Sequence, residues 1–177
     1  MAARDDLAPG PPSLVLTLEM DGEAFAVLDA LRRRYYVPER NLVPAHLTLF
    51  YRLPGARARE IKAFLATVAT ERRPIEIPSG EVKATERGVA LFLHSPQLAA
   101  LRQELAREWS PWLDDADSRP FRPHVTIQAG VSESEARRTR QAVAATFRPP
   151  RLGGVGLHLW HYRQGPWESE RLFRFRG

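Results

Sequence analysis

One tetrapeptide pattern occurs twice in this chain, at matching places in a repeated order of elements. The first copy is His46-Leu47-Thr48-Leu49, just after Pro44, and the second is His124-Val125-Thr126-Ile127, just after Pro123. Each half reads as strand, helix, short strand, helix and extended chain. Leu14 and His46 are 32 positions apart, and Val89 and His124 are 35 apart. Self-similarity of this kind marks an internal duplication, in which two units share one core. The expected architecture is an α+β fold, bilobal and pseudo-twofold, with two mainly antiparallel sheets flanked by helices and a central cleft. Alternating strands and helices also suggest a doubly wound parallel sheet. That alternative fits poorly: no glycine-rich loop follows a strand, and the strands alternate as half-solvated ones do.

The elements follow from local pattern. Ser13 to Met20 alternates as a strand, and Asp21 can cap a helix with Phe25, Leu28, Leu31 and Tyr35 on its apolar face. A short strand over 46–51 and a helix from 56 to about 72 precede Pro74, and 75–85 reads as extended with a break at Ser79-Gly80. Glu86-Arg87-Gly88 looks like a hairpin turn into a strand over 89–94. Pro96 then opens a helix striped by Leu98, Leu101, Leu105, Trp109 and Trp112. The loop Asp114-Asp115-Ala116-Asp117 lacks the glycine and terminal glutamate of a calcium loop and reads as solvated. A strand over 124–128, a helix capped by Ser132, and strands over 157–162 and 172–175 around Gln164-Gly165-Pro166 complete the chain. Residues 1–12 read as a flexible leader. Residues 13–177 read as one domain whose lobes, about 13–87 and 88–177, can exchange strands.

Composition removes several chemistries. No cysteine is present, which excludes disulfides, thiolate metal sites, iron–sulfur clusters and cysteine nucleophiles. The longest apolar run, Val89 to Leu93, falls far short of the roughly 18 residues of a membrane span. Residues 1–12 have no hydrophobic centre, so a secretory signal is not expected and a cytoplasmic location is. With 26 Lys and Arg against 21 Asp and Glu, the formal charge is +5. That balance leans toward an anionic partner, although solvated helix faces such as Arg32-Arg33-Arg34 account for much of it.

The repeated motif carries the chemistry. In a strand, residues i and i+2 share a face, so His46 projects with Thr48 while Leu47 and Leu49 enter the core. His124 and Thr126 do the same against Val125 and Ile127. A pseudo-twofold would turn the two faces toward each other across a cleft. In-line cleavage of a phosphodiester needs a base on the attacking oxygen and an acid on the leaving oxygen. An imidazole with an ordinary pKa of about 6.5 can serve as either. Threonine hydroxyls can donate to the non-bridging oxygens. His46 and His124 are therefore candidate catalytic residues, and Thr48 and Thr126 candidate phosphate ligands. One such tetrapeptide alone is an ordinary strand with a polar side.

Further contacts rest on less. Arg122 shares the facing of His124 and could hold a phosphate, or be a surface charge before a proline. Trp160 and Tyr162 share a strand face and could stack a base or simply fill that face. Trp109 and Trp112 belong to the helix stripe, His94 reads as structural, and His158 and His161 point to opposite faces of their strand. No His-Glu-x-x-His is present, and neither a metal nor a cofactor is expected.

The two motifs, with Arg122-Pro123 ahead of the second and a late Leu157-to-Trp160 strand, resemble those of the 2H phosphoesterase superfamily, in particular its bacterial 2′-5′ RNA ligase-like and cyclic phosphodiesterase branch. The likeness spans about 13–177 in element order, but only the motifs are specific. It implies a cleft between two lobes and metal-independent opening of 2′,3′-cyclic phosphates on an RNA terminus or a small nucleotide, usually leaving a 2′-phosphate. It further implies that His46 protonates the leaving oxygen and His124 activates water. Two other readings are the joining of RNA ends through a 2′-5′ bond and a binding module without turnover. A monomer is expected.

Overall fold

Leu14, Leu16 and Leu18 of β1 (Ser13–Met20) enter the hydrophobic core, and period two leaves Thr17 and Glu19 on the other face. Around this strand a computed structural model describes residues 13–177 apart from Ser79 and Gln164. The leader expected over 1–12 lies outside the described residues. Asp21 Oδ1 accepts the Ala24 N–H at 2.9 Å and starts α1 (Gly22–Tyr35). After it come β2 (Leu47–Leu53), α2 (Ala58–Glu71), β3 (Ile75–Ile77) and β4 (Gly80–Thr85). The second half supplies β5 (Gly88–Leu93), α3 (Pro96–Glu108), β6 (His124–Ala129), α4 (Glu133–Thr146), β7 (Leu152–Tyr162) and β8 (Glu168–Arg174). Ser95 and Ser132 cap α3 and α4.

Two antiparallel sheets result, so the doubly wound alternative is excluded. The larger runs β2-β1-β7-β3 with β8 also on β7, and the smaller runs β4-β5-β6. Neither sheet belongs to one half of the chain. β1 takes one edge of β7, with Thr17 opposite His158; β3 and then β8 take the other. β4, from the first half, pairs along β5. The helices cross over as well: α1 packs against β6, α4 against β4 and β5, and α2 against β7 and β8.

Several local expectations are corrected. The buried face of α1 is Ala24, Leu28, Asp29 and Arg32, whereas Phe25 is 38% exposed. The helix turns two polar residues inward because each finds backbone partners there. A short 3-10 turn over Gly55–Arg57 delays α2 to residue 58. β7 begins at Leu152, five residues ahead of the expected 157, because Leu152 to Gly154 pair with β3. The acidic loop is not simply solvated: Asp117 is 2% exposed. No helix among the described residues is long and apolar enough to cross a membrane.

Candidate active site

The strand pattern that buries Leu47 and Leu49 against Val125 and Ile127 decides where the four polar motif residues go. β2 and β6 approach within 8 Å between Cα atoms, which brings the two motifs together at the junction of the sheets. Thr48 pairs with Thr17 across β2 and β1, and Thr126 pairs with Ala90 across β6 and β5. Thr48, Arg122 and His124 line one pocket of about 130 Å³, with Arg119 and Tyr51. His46 and Trp160 line a neighbouring groove of about 530 Å³. Tyr162 lies at the end of β7, 45% exposed, and lines neither hollow.

The two histidines are held alike. His46 Nδ1 lies 2.7 Å from the Pro44 carbonyl oxygen, and His124 Nδ1 lies 2.7 Å from that of Arg122. A carbonyl oxygen only accepts, so each Nδ1 carries the proton and each Nε2 is left to gain or lose one. Each ring also has an aromatic neighbour. Trp167 lies 4.7 Å from His46 between centroids, and Phe92 lies 5.5 Å from His124. Loss of water around His46 lowers its pKa to about 4, and the positive charges of Arg32 and His124 push the same way, against the Pro44 carbonyl. His46 is therefore neutral at pH 7. Tyr51, which is 45% exposed, is shifted upward by partial loss of water and then by the Asp117 carboxylate, so it stays neutral.

A set of buried polar side chains supports the motif strands. Arg32 of α1 donates from Nε to Asn41 Oδ1 and from Nη1 to the Thr126 carbonyl, both at 2.8 Å. Arg102 of α3 donates from Nε to the Leu49 carbonyl at 2.7 Å, with its guanidinium 3.6 Å from the Phe50 ring centre. Each half thus sends an arginine to a carbonyl of the other half's motif strand. Asp29 Oδ1 accepts the N–H of Ala45, next to His46, at 2.9 Å. Asp117 accepts the N–H groups of Tyr51 and Arg52 at 2.8 and 2.9 Å and so ties the acidic loop to β2.

The sequence reading missed these residues. A signal for the arginines exists: each stands four residues after a buried leucine, Leu28 or Leu98, on an otherwise apolar stripe. An arginine there is buried only if it has a partner. Trp167 has no such signal, because it follows a turn and reaches His46 only in the folded chain. Among the described residues, no group of three or more His, Cys, Asp or Glu side chains is gathered that could hold a metal ion.

A family model described as the 2′-5′ RNA ligase superfamily matches residues 20–166. No curated protein sequence matches the chain. Among solved structures, TT0787 of Thermus thermophilus is similar with a TM-score of 0.63 at 18% identity, over 93% of this chain and 98% of that one. Apo LigT of E. coli matches with a TM-score of 0.64 at 16% identity, over 95% and 99%. LigT complexed with 3′-AMP gives 0.60 at 19% identity, over 94% and 99%.

Proposed function

The chain belongs to the 2′-5′ RNA ligase superfamily, and from that premise we propose that it opens 2′,3′-cyclic phosphates on RNA ends or small nucleotides, leaving a 2′-phosphate, by acid–base catalysis between His46 and His124. The observation that carries this reading is the matched anchoring of the two imidazoles, each fixed through Nδ1 to the carbonyl two residues back. Two proton carriers so held, one just ahead of β2 and one at the start of β6, suit an in-line displacement. His124 takes a proton from water as its oxygen bonds to phosphorus. His46 gives a proton to O3′ as the P–O3′ bond breaks. The Thr48 and Thr126 hydroxyls donate to the non-bridging oxygens, where charge is concentrated in the transition state. Arg122 and Arg119, at the rim of the pocket that holds Thr48 and His124, offer forked donors to the same anion.

The acid role asks His46 to be charged, and at pH 7 it is neutral. The negative charge of a bound phosphate would act against desolvation and Arg32 and so raise the His46 pKa toward the protonated form that the acid role needs. E. coli LigT has been crystallised with 3′-AMP, which supports a nucleotide as the substrate class.

Hydrolysis of a 2′,3′-cyclic nucleotide in EDTA tests the reading. Turnover should survive chelation and fall by about 10² to 10⁴-fold in His46→Ala and in His124→Ala. Abolition by EDTA would replace the two-histidine scheme with a metal-dependent one. Undiminished turnover in His124→Ala would remove His124 from the mechanism. Joining of RNA ends without hydrolysis would favour the ligase reading.

A further inference from the structure

Two inward residues of α1, Asp29 and Arg32, reach backbone groups next to one motif histidine and beyond the other. We propose that Arg32 is a positioning residue, whose single guanidinium holds the loop that carries His46 against the strand that carries His124. The inference rests on the phosphodiesterase reading only for the reaction that this alignment serves.

One arm runs to the first motif. Arg32 Nε donates to Asn41 Oδ1 at 2.8 Å, and Asn41 is itself fixed by its N–H on the Pro38 carbonyl at 3.1 Å. Asp29, three residues earlier on the same helix face, accepts the Ala45 N–H at 2.9 Å. The segment 41–45 is therefore pinned to α1 at both ends, and its Pro44 carbonyl in turn sets the His46 ring through Nδ1. The other arm runs to the second motif. Arg32 Nη1 donates at 2.8 Å to the carbonyl of Thr126, two residues after His124 on the edge strand of the smaller sheet. The guanidinium lies over the Tyr36 ring, with Cζ 4.1 Å from its centre, and Arg32 is 4% exposed, so the side chain has little room to leave. Nε and Nη1 belong to one rigid plane, so the two oxygens that they hold keep a fixed relation.

The same group brings a positive charge to the His46 side of the site. Both oxygens bonded to it are neutral, and the acid on the same helix face, Asp29, is engaged by the Ala45 N–H and by Arg33 at 3.3 Å. The other carboxylates facing the His46 groove have partners too. Glu19 of β1 lies 3.2 Å from His158 of β7, and Asp21 accepts from Ala24 and Gly153. Arg174 of β8 lines the same groove. Burial is the first cause of the low His46 pKa, against the Pro44 carbonyl, and Arg32 then acts more strongly than His124.

Substitution separates alignment from charge. Arg32→Lys keeps the charge and loses the fork, Asn41→Ala keeps the charge and cuts one arm, and Arg32→Gln loses both. Steady-state hydrolysis of a 2′,3′-cyclic nucleotide by the full chain should show kcat reduced about 10²-fold in both Arg32 variants and by a smaller factor in Asn41→Ala. KM should stay within about threefold of the unsubstituted chain, as for a group that serves the transition state. NMR titration of the His46 ring without substrate should keep the parent midpoint in Arg32→Lys and Asn41→Ala and move it upward in Arg32→Gln. Arg102→Gln, which removes a comparably buried guanidinium from the Leu49 carbonyl, should leave that midpoint in place. Asn41 is half-buried, so its variant keeps the alignment testable even where an Arg32 variant does not fold. An unchanged kcat in Arg32→Lys and Asn41→Ala would overturn the proposal. So would a His46 midpoint that moves equally in Arg32→Gln and Arg102→Gln, or in neither. Lack of hydrolysis by the unsubstituted chain would sink the phosphodiesterase reading, and the His46 titrations would still decide whether Arg32 holds this place.

Discussion

His46 sits where a residue's ordinary chemistry is most altered. An imidazole lowered to about 4, chiefly by burial, is neutral at pH 7. Free-enzyme pKa values govern kcat/KM, so one limb of its pH profile should lie near 4 rather than near 6.5. Binding inorganic phosphate near pH 6 should raise the His46 pKa and draw a proton into the protein, measurable by NMR titration of the ring or by calorimetry in buffers of different ionisation enthalpy. No uptake would exchange the roles of the two histidines. The same shift acts on stability. The unfolded chain protonates His46 as pH falls through about 6.5, whereas the folded chain resists until about 4. Stability is therefore lost across that window as acid is added, and His46→Gln should flatten the slope. The His-x-Thr-x pattern could be read at this scale because it is local and occurs twice. The depressed pKa could not, since its causes come from other elements.

Elements explain which further residues escaped a linear reading. The order of strands and helices could be read because periods of two and 3.6 leave a trace within each segment. What holds the motif strands leaves none: Arg32 meets the Thr126 carbonyl 94 residues away, Arg102 meets Leu49 at a separation of 53, and Asp117 meets Tyr51 at 66. Asp117 shows what such a tie is worth. Its carboxylate accepts the N–H groups of Tyr51 and Arg52, and its carbonyl accepts from Arg102. Asp117→Ala would strand the two N–H donors, at a cost of about 1–3 kcal/mol. Urea unfolding measures that loss, and a change under about 0.5 kcal/mol, the level of an ordinary surface substitution, would show the tie to be idle. α1 was misread for the same reason, because an amphipathic stripe does not reveal that Asp29 and Arg32 face inward toward backbone groups.

At the scale of the molecule, two halves of similar order are interleaved. We propose that residues 13–87 and 88–177 are lobes of one folding unit, because β7 and β8 complete the sheet of β1 to β3 while β4 completes the sheet of β5 and β6. Helices α1 and α4, one from each half, cover the smaller sheet. A chain so built should unfold in one urea transition, with fluorescence and circular dichroism coinciding. Fragments 13–87 and 88–177 should each lack a cooperative transition, and a cooperative fragment would show the lobes to be independent. The duplication was legible in sequence, and so was the chance of exchange. Which strands cross over was not, because pairing partners are chosen by packing at long range.

The place of β7 has a consequence for how the protein is made. It lies between β1 on one edge and β3 and β8 on the other, yet it emerges from the ribosome after every other strand but β8. Until then β1 carries β2 alone and offers an open row of N–H and C=O groups to any neighbouring chain. A chain cut before residue 152 would therefore present that open edge in place of a completed sheet.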